Sequence, residues 1–234
     1  MKANSFTVKD LINAGLFSLL VFIAIFVGGM VGLIPIFMPF IPFLCGLFAG
    51  PVFMLYSTKI HRFGMVLIMG VIIGLIFTVT GHGIYILPGM TILSLVAEYI
   101  LKKGDYASLK HTKWAYTIYC LAFGFNMIPI YVSRAAYVQR LVEQGYGEAY
   151  ADKMISVLPY WSFFPILALG AVGGYIGATI GAKMLKKHFQ KLDGRLRDSA
   201  VRQRHTCRGP GARRRDRERR VHDRRRRRFR GSRA

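Results

Sequence analysis

The stretch LINAGLFSLLVFIAIFVGGMVGL, Leu11–Leu33, decides how this chain is read. It runs 23 residues without a charged side chain. A helix needs about 20 mostly apolar residues to cross the hydrocarbon core of a bilayer. The run is too long for a secretory signal and lacks a convincing cleavage site, so it predicts a first membrane span over 10–33. Five more stretches of this kind follow, at 36–56, 63–80, 84–101, 114–133 and 160–185. The expected fold is an all-α integral membrane protein, a bundle of six transmembrane helices.

Charge in the connections sets the orientation. Lys2 and Lys9 precede the first span, and Lys59, His61 and Arg62 join the second to the third. Lys102, Lys103, Lys110 and Lys113 join the fourth to the fifth, and Lys183, Lys186, Lys187 and Lys191 follow the sixth. The opposite connections are poor in charge or, in 134–159, balanced by Glu143, Glu148 and Asp152. Positive loops stay in the cytoplasm. Both termini are therefore expected inside, 134–159 outside, and the protein in the cell membrane as a multi-pass chain.

Local signals refine the spans. Thr7 and Asp10 have the spacing of a capping box. Pro35, Pro39 and Pro42 predict a turn before the second helix, and Thr80-Gly81-His82-Gly83 predicts a tight turn after the third. Gly145-Tyr146-Gly147 splits 134–159 into two short amphipathic pieces: Tyr137 shares a face with Leu141, and Tyr150 with Met154 and Val157. They read equally as a lid over a pocket or as passive surface helices. Gly173, Gly177 and Gly181 fall four apart in the sixth span, a spacing repeated by Gly46 with Gly50 and Gly70 with Gly74. Small residues so spaced let helices pack closely. Ala14 and Ser18 form such a pair in the first span and are the candidate docking face for another membrane subunit.

The net charge of +22 is unevenly spread. Residues 1–191 hold 12 Lys and 3 Arg against 6 acids, whereas 192–234 hold 18 Arg, no Lys and 5 acids. Two domains are expected: a membrane domain over 1–191 and an Arg-rich disordered tail over 192–234. The abrupt switch resembles a GC-rich gene read in a shifted frame, so the natural chain is expected to end near Gln190, the rest being a frameshift artefact. A genuine solvated tail and a nucleic-acid-binding tail are the alternatives; no nucleic-acid partner is expected.

The sequence carries no phosphate-binding loop of the ATPase type, no G-x-S-x-G and no H-E-x-x-H. Cys45, Cys120 and Cys207 lack metal spacing. No enzyme activity, catalytic residue, cofactor or metal is expected. Glu98 is the acid well inside a span, where such a group is a functional suspect by default; Lys102, four residues on, offers it a structural pairing. A more inviting cluster lies near the outer ends of the third to sixth spans: Thr80, His82, Tyr85, Asn126, Tyr131, Arg134 and Trp161. Small-molecule sites combine aromatic walls with a few polar anchors. Asn126 needs a partner, and Arg134 suits an anionic group. For Trp161, with Tyr137 and Tyr160, an interfacial aromatic belt is the equal alternative. His82 reads equally as a turn residue.

Several runs, in order, carry a family resemblance: Thr7-Val8-Lys9-Asp10-Leu11-Ile12, Ile34-Pro35-Ile36-Phe37-Met38-Pro39, Thr80-Gly81-His82-Gly83, Gly145-Tyr146-Gly147-Glu148 with Tyr150-Ala151-Asp152, and Gly181-Ala182-Lys183-Met184-Leu185-Lys186-Lys187-His188-Phe189. The chain from about Thr7 to Lys191 resembles the Trep_Strep, or MptD-type, substrate-binding (S) components of energy-coupling factor (ECF) transporters. The resemblance implies a six-helix protein that captures a micronutrient from outside. It implies docking on a transmembrane coupling (T) subunit driven by two ABC-type ATPase subunits, through small residues four apart on the first helix. Ala14 and Ser18 match that pattern, with serine where alanine is more usual. The alternative is a stand-alone secondary transporter or channel for a small molecule, which the scarcity of intramembrane charge and the lack of an inverted repeat disfavour.

Overall fold

Thr7 and Asp10 close the capping box: the Asp10 amide donates to Thr7 Oγ1 at 3.3 Å and the Thr7 amide to Asp10 Oδ2 at 3.0 Å. Helix α1, Val8–Gly29, follows and tightens into a 3₁₀ turn over Met30–Leu33. The computed structural model describes residues 7–59 and 62–207, with side chains through Lys186. All its regular elements are helical, with no strand among the described residues.

The prolines act as their chemistry dictates. Pro35 opens a 3₁₀ turn over Pro35–Phe40, and Pro42 sits in the first turn of α2, Ile41–Ser57, where its missing N–H costs nothing. Helix α3 is Met65–Val79 and α4 is Ile86–Lys103. The single span expected over 114–133 is instead three pieces: α5, Leu109–Cys120, α6, Ala122–Phe125, and α7, Ile128–Val132. Pro129 at the start of α7 explains the second break, since it supplies no donor to the preceding turn. The split segment forms α8, Arg134–Glu143, and α9, Glu148–Val157. A 3₁₀ turn over Tyr160–Ser162 leads into α10, Phe163–Cys207.

Among the described residues, three segments are long and apolar enough to cross a bilayer: Val8–Leu33, Pro35–Ser57 and Tyr160–Lys186. Helix α3 is apolar but only 15 residues long. The apolar run of α4 is broken by Glu98 and ends on Lys102 and Lys103.

The chain divides into two units, Met1–Phe189 and Gln190–Ala234. Contrary to the expectation of disorder from 192 onward, α10 runs to Cys207. Leu, Arg, Gln and Ala, good helix formers, make up half of 192–207, and no proline occurs there before Pro210. The remainder of the tail, 208–234, lies outside the described residues.

Within the first unit, α1 packs on α2 and α3, α3 on α4, and α4 on α5. The small residues of α10 meet α2 backbone to backbone. A Cβ placed on Gly46 would lie 2.7 Å from the Gly174 nitrogen, and one on Gly181 would lie 2.8 Å from Pro51 Cα. Ala14 and Ser18 are both fully buried, with Ser18 Oγ donating to the Ala14 carbonyl at 2.6 Å. They face into the bundle, so in this conformation they form no outward docking face.

Glu98 is also fully buried, but Lys102 is not its anchor. Its Oε2 accepts the Val66 and Leu67 amides at 2.6 and 3.3 Å, and its Oε1 accepts the Tyr106 hydroxyl at 2.9 Å. The carboxylate caps the start of α3 from the neighbouring helix, where first-turn amides lack partners within their own helix. Lys102 lies instead over the Phe63 ring, 5.2 Å from its centroid.

Candidate ligand cavity

At the far ends of α3 and α4 from Glu98, a cavity of about 580 Å³ opens between α1, α2, α3 and the α8–α9 segment. Its polar corner starts with the turn that ends α3. Gly81 and Gly83 take left-handed conformations, φ +90° and +97°, which favour glycine. The Gly81 amide donates to the Thr78 carbonyl and the His82 amide to the Phe77 carbonyl, a Schellman closure. This folds the His82 ring edge-on against Phe77, 4.9 Å between centroids, with Nδ1 3.1 Å from Thr80 Oγ1. Burial against these neighbours pushes the His82 pKa below its ordinary 6.5, partly offset by a backbone hydrogen bond with Phe77. Burial thus favours the neutral ring.

The α8–α9 segment covers one side. Helix α8 ends on a second Schellman closure, with Gly145 at φ +87° and the Tyr146 amide donating to the Leu141 carbonyl at 3.1 Å. Arg140 Nη1 donates to the Gly81 carbonyl at 2.8 Å, which ties α8 to the turn after α3. The Tyr150 hydroxyl donates to the Gly32 carbonyl at 2.5 Å, which ties α9 to the turn after α1. Burial raises the pKa of the Tyr150 hydroxyl to about 12, so it remains a donor at any physiological pH. The root of the segment is clamped by Arg134. Its Nη2 donates to the Leu158 carbonyl at 2.5 Å, and its guanidinium lies over the Tyr160 ring at 4.2 Å.

The apolar wall comes from Phe22, Ile25 and Phe26 of α1, Ile41 and Cys45 of α2, and Phe77, Ile86, Phe123 and Met127. Asn126 also lines the cavity, and its Oδ1 is buried with no hydrogen-bond partner among the described residues.

Of the residues singled out in the sequence, Thr80, His82 and Asn126 meet on this wall, as does Tyr137. The other four stand off it. Tyr85 is exposed at the start of α4, and Trp161 is 71% exposed. Tyr131 bonds Ser162 at 2.8 Å and packs on Phe163, and Arg134 is the clamp described above. Sequence reasoning missed Arg140 and Gln144, which follow Tyr137 at the three-to-four-residue spacing of one helix face. That spacing was the available signal. Phe22 and Phe26 carried none, because a lining phenylalanine and a lipid-facing one read alike.

Residues 8–191 match the family described as hypothetical bacterial integral membrane protein (Trep_Strep), and the chain belongs to that family. No match emerges among curated proteins or among solved structures.

Proposed function

We propose that this membrane protein captures a small molecule in the cavity and serves as the substrate-binding component of an ECF-type importer. The observation that carries the reading is the cavity itself. It has aromatic and aliphatic walls, a few polar atoms at one corner, and a helical cover tied by single hydrogen bonds at Gly81 and Gly32. In this reading six spans cross the membrane, the fifth being the broken α5–α7 run. Both termini lie in the cytoplasm and the cavity opens outward. The lysine distribution supports that orientation: Lys59, Arg62, Lys102 and Lys103 lie at the end of α3 and α4 opposite the cavity. The sequence has no ATP-binding loop of its own, so energy comes from a coupling subunit and two ABC-type ATPases. No enzymatic step is assigned, and no cofactor is needed.

Gly29 supplies the test, because it lines the cavity and a Cβ there meets nothing within 4 Å. The detergent-purified chain, exposed to a concentrated extract of growth medium, should retain a small molecule detectable by native mass spectrometry. Gly29→Phe should lose that mass while remaining monodisperse. A wild-type chain that retains nothing, or a Gly29→Phe variant that retains the same molecule, overturns the reading. Uptake in vesicles free of ATPase subunits would favour a stand-alone transporter instead.

A further inference from the structure

We propose that the cavity is built for an amphiphilic small molecule, with an apolar, ring-bearing body and one anionic head that docks on Arg140. The inference rests on the capture reading above and adds the class of ligand.

Polarity is unevenly distributed over the wall. Phe22, Phe26, Phe77, Ile86, Phe123 and Met127 offer hydrocarbon and ring faces. Polar groups gather where the turn carrying Thr80 and His82 meets the face of α8 that carries Arg140 and Gln144. Arg140 and His82 are the basic residues on the wall; no aspartate or glutamate lines it among the described residues. Burial favours the neutral form of His82, so Arg140 carries the permanent charge on the wall.

The guanidinium has five N–H donors. Among the described residues it donates to one acceptor, the Gly81 carbonyl. Glu143, three residues on, accepts instead from Gln139 Nε2 at 3.1 Å and makes no ion pair with Arg140. A cationic ligand would meet a like charge on this wall, while Glu143 lines an adjoining recess that also carries Arg140. An anionic head gains charge-assisted hydrogen bonds beside a largely apolar wall, where such bonds are strongest. The body then buries its rings against the phenylalanines, at distances and angles that aromatic pairs favour.

The test uses the full chain in nanodiscs of zwitterionic lipid, with empty nanodiscs as the partitioning blank. Three naphthalene probes separate charge from shape: anionic 1-anilinonaphthalene-8-sulfonate, neutral N-phenyl-1-naphthylamine, and 1-naphthylmethylamine, a cation at neutral pH. Saturable binding should favour the anion over the neutral probe by about tenfold, with the cation weakest. Arg140→Gln should bring the anion-to-neutral ratio to about one, and Arg140→Lys should keep most of the preference. Binding of the cation as tight as the anion in the wild type overturns the ligand class without recourse to any variant. So does a preference that survives Arg140→Gln. Each leaves the capture reading standing, whereas no saturable binding of any probe overturns both. Replacing part of the lipid with phosphatidylglycerol separates two sources of an amphiphilic anion: lost probe binding identifies a lipid occupant, and undiminished binding a dissolved one.

Discussion

The turns that close α3 and α4 share one hydrogen-bond pattern and are used differently. After α3, Gly81 takes the left-handed conformation and His82 follows it, its amide bonded to the Phe77 carbonyl. After α4, Asp105 takes that conformation, φ 48°, and Tyr106 follows it, also left-handed at φ 55°, its amide bonded to the Leu101 carbonyl. Each closure delivers a ring-bearing side chain just past its helix. Tyr106 meets Glu98, a buried acid whose other oxygen is held by two amides. His82 meets Thr80 and Phe77 and otherwise lines open space. The same hydrogen-bond pattern makes scaffold where the delivered group finds a buried partner, and in the reading proposed above offers a group to a ligand where it is left on a cavity wall.

The strongest way to break this contrast is Glu98→Ala. The substitution strands the Val66 and Leu67 amides and the Tyr106 hydroxyl, of which the Val66 amide lies in the core. Each buried group left without a partner costs about 1–3 kcal/mol. We expect a loss of roughly 3 kcal/mol or more, read by thermal or denaturant unfolding in mild detergent. Glu98→Gln, which can still accept one amide, should lose less. Unchanged stability combined with abolished ligand retention would move Glu98 from scaffold to function and erase the distinction between the two ends.

How much of this was legible in the sequence follows the same divide. Thr7 with Asp10 announced the start of α1, and the glycines at 81, 83, 145 and 147 announced turns that the structure builds with positive φ. Such signals are local: one residue type is needed at one backbone position. Glu98 was legible as an oddity, but its partners were not. Val66 and Leu67 are 32 and 31 residues away and contribute backbone amides, which every residue has. The break of the fifth span was hidden because hydropathy does not register Pro129 as a helix boundary. In the cavity, the polar corner could be read in part from residue types. The hydrocarbon wall could not, since in a membrane chain apolar side chains face both lipid and core.

Ala14→Leu sharpens the contrast from the scaffold end of α1, whose other end carries Phe22 and Phe26 to the cavity. Ala14 has no exposed surface, so a larger side chain must displace its neighbours. Overpacking of this kind costs about 1–3 kcal/mol. We expect lower thermal stability of the isolated chain and no selective defect in co-purification with partner subunits. Native stability in the variant, with partner subunits lost, would return Ala14 and Ser18 to an outward docking face.

The finest test exchanges the residues that make the two closures. Gly81→Ala should cost about 1 kcal/mol, because a left-handed conformation brings a Cβ against the following carbonyl. Space is not the obstacle: the nearest atom a Cβ would meet is Gln144 Nε2, at 3.8 Å. Asp105→Gly should gain about 0.5 kcal/mol, by removing a Cβ from a conformation that glycine adopts freely. The two changes act on a left-handed position in closures at opposite ends of the same helix pair, so their unfolding free energies should move in opposite directions. Their effects on the cavity should differ in kind. Straining Gly81 shifts the carbonyl that Arg140 holds and should weaken ligand retention as well as stability. Relaxing Asp105 should leave retention untouched, because Tyr106 and Glu98 lie at the other end. Loss of retention from the Asp105 change would couple the two ends and refute their separation into scaffold and site.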